Sequence, residues 1–338
     1  MNPAWEQTKR ILQSAQPAMA YPGGDPEQWK QSAREKLAQL LGLHKMIPAE
    51  AALEIEYEHQ HETHTELRFT FQSEEGYRVP CHLWLPVGVK KPPVMICLQG
   101  HSTGMHISMG IVKYPSDEKL LQGGDRDFCV RAIREGYAAI AVEQRAFGEC
   151  GGEADGPRCF PPAMTSLLQG RTLLGERVWD ICRLLDVLEQ AFGHLVDTGR
   201  ICLMGNSGGG TVTAYTAALE DRIVMAIPSC AVCTWKQSIG ALQHCSCNYV
   251  PGIANWFDMG DLIAMACPKY YIQVNGVQDH GFFIQGARDA FTAGKAAYDA
   301  AGVSNNCSFV EGQAGHRFYA DQTWPIVHRY MNTIRPTL

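Results

Sequence analysis

From residue 93 onward the sequence alternates two textures, and few folds accept that alternation. Short runs that are apolar at every position, such as Val94-Met95-Ile96-Cys97-Leu98, recur between stretches of helical spacing. A run with no polar face suits a strand buried on both sides. Further strand-like, mostly apolar runs lie at 137–142, 200–204, 223–227, 270–274 and 307–310. Helical patterns separate them at 127–135, 173–192, 207–219, 285–301 and 321–334. In the longest of these, Val178, Ile181, Leu184, Leu185 and Leu188 share one face. Strand and helix in regular alternation call for an α/β architecture: a mostly parallel central sheet with helices on both faces.

The first third reads differently. Residues 1–50 are helical in texture, with Trp29, Ala33, Leu37, Leu40 and Leu41 close to helical spacing over 27–43, and Pro48 ends the pattern. Residues 53–85 turn to strand. Glu66-Leu67-Arg68-Phe69-Thr70-Phe71 alternates, Gly76 marks a turn, and 77–85 is a second β-like run. This predicts an antiparallel N-terminal edge to the sheet. The organisation expected is a helical extension over 1–50 and a catalytic domain over 51–338. Residues 231–267 fit the alternation poorly and are expected to be an insertion over the site. A chain of 338 residues that is 46% hydrophobic can bury a core of that size. The helix at 27–43 is open to two roles, a lid or a contact in a homo-oligomer.

A net charge of −6, with no basic run of five or more, argues against nucleic acid and anionic membrane as partners. Residues 1–10 lack the apolar stretch of a signal peptide, and no segment reaches the roughly 18 apolar residues of a membrane span. With 13 cysteines, an odd number in a chain too large to need disulfide staples, a cytoplasmic location is expected.

The sharpest chemical signal is Gly205-Asn206-Ser207-Gly208-Gly209, which follows a buried strand and opens a helix. A serine on so tight a turn needs small neighbours, so that strand and helix can approach each other. The turn presents the hydroxyl at the C-terminal edge of the sheet, where α/β sites lie. A serine hydroxyl is a weak nucleophile at neutral pH and needs a base held by a third group. In an enzyme with such an elbow the acid and then the histidine follow in the chain. His316, in Gly312-Gln313-Ala314-Gly315-His316 after the last strand, is the base expected. Asp279, in Asn275-Gly276-Val277-Gln278-Asp279-His280 after the strand at 270–274, is the acid expected. Glu311 is its rival, and His280 reads as a wall residue. Two N–H groups should receive the developing oxyanion. One is that of Gly208. The other is that of His101, with Ser102 as alternative, in the loop Gln99-Gly100-His101-Ser102-Thr103-Gly104.

The elbow, Asp279 and His316 resemble the α/β-hydrolase superfamily, and the resemblance spans about residues 50–335. Four segments are similar to a bacterial group described as acetyl xylan esterase-like, near the dienelactone hydrolases. They are Leu98-Gln99-Gly100-His101-Ser102-Thr103-Gly104-Met105-His106, Glu143-Gln144-Arg145-Ala146-Phe147-Gly148-Glu149, Met204-Gly205-Asn206-Ser207-Gly208-Gly209-Gly210 and Pro228-Ser229-Cys230-Ala231-Val232-Cys233. The resemblance implies an α/β-hydrolase fold and ester hydrolysis without a cofactor, on an acetyl-like ester of an oligosaccharide or small molecule. Dienelactone hydrolases use a cysteine nucleophile where this chain has Ser207.

Three other features compete for attention. Cys230-x2-Cys233 with His244, Cys245 and Cys247 raises a zinc reading. The tight Cys245-x-Cys247 spacing and the place of Cys230 at the end of a buried strand argue for no metal. His59, His61 and His64 read as a solvated strand face. Trp235, Tyr249 and Trp256 could line the substrate pocket or pack the insertion. The alternative functions are a prolyl-oligopeptidase-like peptidase, disfavoured because no propeller repeat precedes the domain, and a non-catalytic binding protein, disfavoured by the intact Ser, Asp, His order.

Overall fold

A computed structural model describes residues 2–336. Its single sheet contains β1 (Glu54–Gln60), β2 (His64–Glu74), β3 (Tyr77–Pro86), β4 (Pro93–Leu98), β5 (Ala138–Val142), β6 (Asp197–Asn206), β7 (Ile223–Ser229), β8 (Tyr270–Gly276) and β9 (Cys307–Gly312). They lie in the order β1-β2-β3-β5-β4-β6-β7-β8-β9. The pairings from β1 to β5 through β3 are antiparallel, and those from β5 onward are parallel. The antiparallel edge and the parallel body are those expected from the change of texture near residue 93.

The continuous apolar runs have a plain cause. In β4, Val94, Ile96 and Leu98 enter one core, and Met95 and Cys97 enter a second core on the opposite face. In β5, Ala138, Ile140 and Val142 face the first core, and Ala139 and Ala141 the second. Side chains alternate across a strand, so a sheet covered on both faces needs an apolar residue at every position. The outermost strand β1 is exposed along its whole length. It carries Glu54, Glu56, Glu58 and His59, whose charge and polarity blunt an open edge, whereas His64, read with His59 as a solvated face, is buried on β2.

The helices are α1 (Pro3–Ser14), α2 (Pro26–Leu41), α3 (Asp117–Gly124), α4 (Phe128–Arg134), α5 (Phe160–Leu168), α6 (Leu173–Val187), α7 (Gly208–Leu219), α8 (Met259–Ala266), α9 (Ile284–Ala300) and α10 (Ala320–Met331). Helix α2 begins with an Asp25 cap and Pro26 and stops at Gly42 in the left-handed region. Its Ala33, Leu37 and Leu41 are fully buried in the first core. Arg34 reaches across to the Ala218 carbonyl at 2.6 Å and to Asp221 at 2.8 Å.

Helix α8 lies within the stretch read only as irregular. All eight of its residues are buried, so it lacks the polar face that gives a helix its sequence signature. Among the described residues no helix is long and apolar enough to cross a membrane.

Candidate active site

Ser207 sits between β6 and α7 with φ +54° and ψ −119°, a conformation a non-glycine residue adopts only under constraint. Its N–H donates to the Ser229 carbonyl at 2.7 Å, tying the turn to the end of β7. The glycines around it have no room for a side chain. A Cβ on Gly205 would meet the Gly209 carbonyl at 2.4 Å, and one on Gly209 would meet the Leu98 oxygen at 2.3 Å. The sequence motif is thus a packing requirement: helix, strand and neighbouring loop converge at backbone distance.

His316 and Ser207 line one cavity of about 870 Å³, together with His101, Gln243, His244 and Phe282. The Nδ1 of His316 is 2.8 Å from Oδ2 of Asp279. Oδ1 of Asp279 accepts the N–H groups of Gly281 at 2.8 Å and Phe282 at 3.1 Å. Burial alone would raise the Asp279 pKa, but the bond to His316 and these two amides hold it below the usual aspartate value. Asp279 is therefore an ionised, fixed carboxylate beneath the imidazole. Glu311 points elsewhere, pairing with Arg288 at 2.6 Å. His280 lies on the cavity wall.

Cys230 also approaches Asp279 and His316. Burial first, and the Asp279 charge second, push its thiol up to about 12. A neutral, buried thiol is not a rival to Ser207 as nucleophile.

The His101 ring packs on Gly208, where an added Cβ would meet its Cε1 at 2.8 Å. Neither the His101 nor the Gly208 N–H has a protein acceptor among the described residues. The loop carrying His101 is braced from below. Gln99 donates to Ser108 and to the Arg126 carbonyl, both at 2.7 Å, and its own carbonyl accepts Gln144 at 2.6 Å. Glu143 accepts the Met105 N–H at 3.1 Å. Burial raises the Glu143 pKa to about 8, so it is an acid kept protonated by lack of water. The segments 98–106 and 143–149 thus form one buried brace. Their spacing gave no hint of it, because the contacts join residues 38 and 45 positions apart.

Trp235, Tyr249 and Trp256 do not line this cavity, which favours packing of the insertion over a substrate contact. Trp235 is buried and donates from Nε1 to the Phe257 carbonyl at 2.7 Å. Trp256 packs against the core, with Lys36 3.8 Å from its ring centre. Tyr249 lines a separate cavity with Cys159 and Phe160. The 231–267 stretch does reach the Ser207 cavity, but through Leu242, Gln243, His244, Cys245 and Asn248. Indole rings were the stronger sequence signal, and burial claimed them.

The cysteine grouping read from the sequence is also redrawn. Cys230 Sγ bonds to the Arg317 carbonyl at 3.3 Å, and Cys233 Sγ to the Phe283 carbonyl at 3.6 Å. Cys245 and Cys247 instead gather with Cys159 and His101.

No family model matches the chain. A protein of Bacillus subtilis (strain 168), YtaP, described as a candidate hydrolase, is 25% identical over 248 residues, which is 71% of this chain and 78% of that protein. A crystal structure described as a candidate acetyl xylan esterase from Bacteroides fragilis superposes with a TM-score of 0.74 at 17% identity, covering 92% of this chain and 82% of that one. A glucuronoyl esterase from Solibacter usitatus gives 0.69 at 15% identity, covering 94% and 97%. The fold is that of the α/β-hydrolases. The solved esterases that superpose, a candidate acetyl xylan esterase among them, share this fold at low sequence identity.

Proposed function

We propose that the chain is a serine carboxylic-ester hydrolase that works through an acyl-enzyme. The observation that carries the reading is the 2.8 Å bond from His316 to Asp279 in the cavity that also presents Ser207 on its constrained turn. In the first half-reaction His316 takes the Ser207 proton as the hydroxyl attacks the ester carbonyl. The N–H groups of Gly208 and His101 receive the oxyanion. His316 then protonates the departing alcohol. In the second half-reaction water, deprotonated by His316, releases the acid. Asp279 keeps the Nδ1 proton in place and offsets the charge on the imidazolium. The chemistry needs no cofactor.

The substrate we propose is a short-chain, acetyl-like ester of a sugar or small molecule. Gln243, His244, Asn248, Gln278 and His280 on the cavity wall offer hydrogen-bonding groups suited to a hydroxylated alcohol. One superposing structure is described as a candidate acetyl xylan esterase, a name in keeping with an acetyl ester of a sugar. Hydrolysis of p-nitrophenyl esters from acetyl to octanoyl tests both levels. Turnover that falls sharply beyond acetyl supports the acyl preference, and a preference for octanoyl refutes it. Undiminished turnover in Ser207→Ala refutes the mechanism.

A further inference from the structure

Three thiols and an imidazole beside the Ser207 cavity have no part in the ester chemistry. His101 comes from the loop after β4, Cys159 stands at the start of α5, Cys245 caps a short turn in the cavity wall and Cys247 lies within that turn. Their ligand atoms all lie within 4.8 Å of one another. His101 Nε2 is 3.1 Å from Cys247 Sγ. Around a tetrahedral zinc with bonds of about 2.0–2.3 Å, ligand atoms stand roughly 3.5–3.8 Å apart, so shifts of about 1 Å or less would seat the ion.

A second observation comes from Arg177, whose side chain is fully buried beneath the cluster. A guanidinium keeps its charge in a protein, and a buried charge needs a counter-charge. Arg177 donates to the Arg145 carbonyl at 3.1 and 2.7 Å and to Cys159 Sγ at 3.2 Å, and its guanidinium lies 4.5 Å from the centre of the Phe147 ring. Among the described residues no carboxylate forms an ion pair with it. Zinc bound by three thiolates and a neutral imidazole carries one net negative charge, which matches one arginine.

We propose that His101, Cys159, Cys245 and Cys247 form a structural Cys3His zinc site. With four protein ligands the ion has no open position for water or substrate, so its role is to hold rather than to react. It would tie together three segments far apart in the chain: the loop bearing the His101 N–H, the start of α5, and the 242–248 wall. Cys245 is partly exposed and lines the Ser207 cavity, which gives the ion a way in. The proposal stands independently of the ester reading, because a metal content can be measured on an inactive protein.

The test is metal analysis of full-length protein purified under reducing conditions from zinc-sufficient medium without chelator. About one zinc per chain is expected. Cys245→Ser and Cys247→Ser should lose it, while Cys230→Ser and Cys233→Ser should keep it. Cobalt exchanged for zinc should show the strong visible absorption of a tetrahedral thiolate site. In the wild type, alkylation mapping should find Cys159, Cys245 and Cys247 protected until the metal is chelated, a readout that needs no variant to fold. Wild-type protein that takes up no zinc on reconstitution overturns the proposal. So does zinc retained in full by both Cys245→Ser and Cys247→Ser, or a Cys159 disulfide to either partner in peptide maps of protein purified without reductant.

Discussion

In the proposed mechanism Ser207 and its partners act in the same transition state, so the expected effects at each are large. Ser207→Ala should lower ester turnover by about 10⁴-fold or more while leaving the far-ultraviolet dichroism unchanged. Asp279→Asn is the more discriminating change. Oδ1 of Asp279 is occupied by the Gly281 and Phe282 amides, so the asparagine would keep its oxygen there and turn its NH₂ toward His316. The imidazole would then carry its proton on the nitrogen that must receive one from Ser207. Turnover should fall by about 10⁴-fold with little change in KM. A loss of less than tenfold would remove Asp279 from the mechanism.

At the scale of elements, the turn between β6 and α7 and the buried acid below the His101 loop make separate predictions. Gly205→Ala places a Cβ 2.4 Å from the Gly209 backbone, which cannot move aside without pulling α7 off the sheet. A loss of about 1–3 kcal/mol or more is expected, read as a lower midpoint in urea. Glu143 gives a pH dependence of unusual sign. Its pKa rises from 4.5 to about 8 on folding, so between these values the folded chain holds a proton that the unfolded chain releases. The stability it contributes is complete below pH 4.5 and declines as pH rises toward 8, at up to about 1.4 kcal/mol per pH unit. Glu143→Gln mimics the neutral acid. The Tm of the wild type should therefore fall relative to that of the variant between pH 5 and 8, and parallel curves would mean that Glu143 is ionised in the fold. The strands and most helices were legible because periodicity reports burial directly. The meeting of Ser207, Asp279 and His316 at one cavity was legible because each lies just past a strand, where local sequence sets position. The brace between 98–106 and 143–149, the wall at 242–248 and the gathering of Cys159 with Cys245 depend on segments distant in the chain. Helix α8, buried all round, had no face to betray it.

For the molecule as a whole, the question is whether residues 1–50 are an attachment or part of the fold. The site itself sits where loops after β4, β6, β8 and β9 converge at the C-terminal edge of the sheet. None of those loops belongs to the first 50 residues. Yet Leu37 and Leu41 of α2 are fully buried in the same core as Val178 of α6 and Val212 of α7. The Thr172 cap of α6 donates its hydroxyl to the Leu41 carbonyl at 3.0 Å. Lys30 reaches the Cys267 carbonyl at 2.9 Å. Removing α1 and α2 would open that core to water and strip partners from α6 and from the segment after α8. Each leucine so exposed forfeits about 1.5–3 kcal/mol, against a total stability of about 5–15 kcal/mol for an ordinary domain. A chain beginning at residue 46 should therefore bind a hydrophobic dye, lose its cooperative thermal transition and hydrolyse esters far more slowly than the full chain. A truncated protein that melts cooperatively and turns over p-nitrophenyl acetate at the full-length rate would show instead that the helical segment is a dispensable attachment.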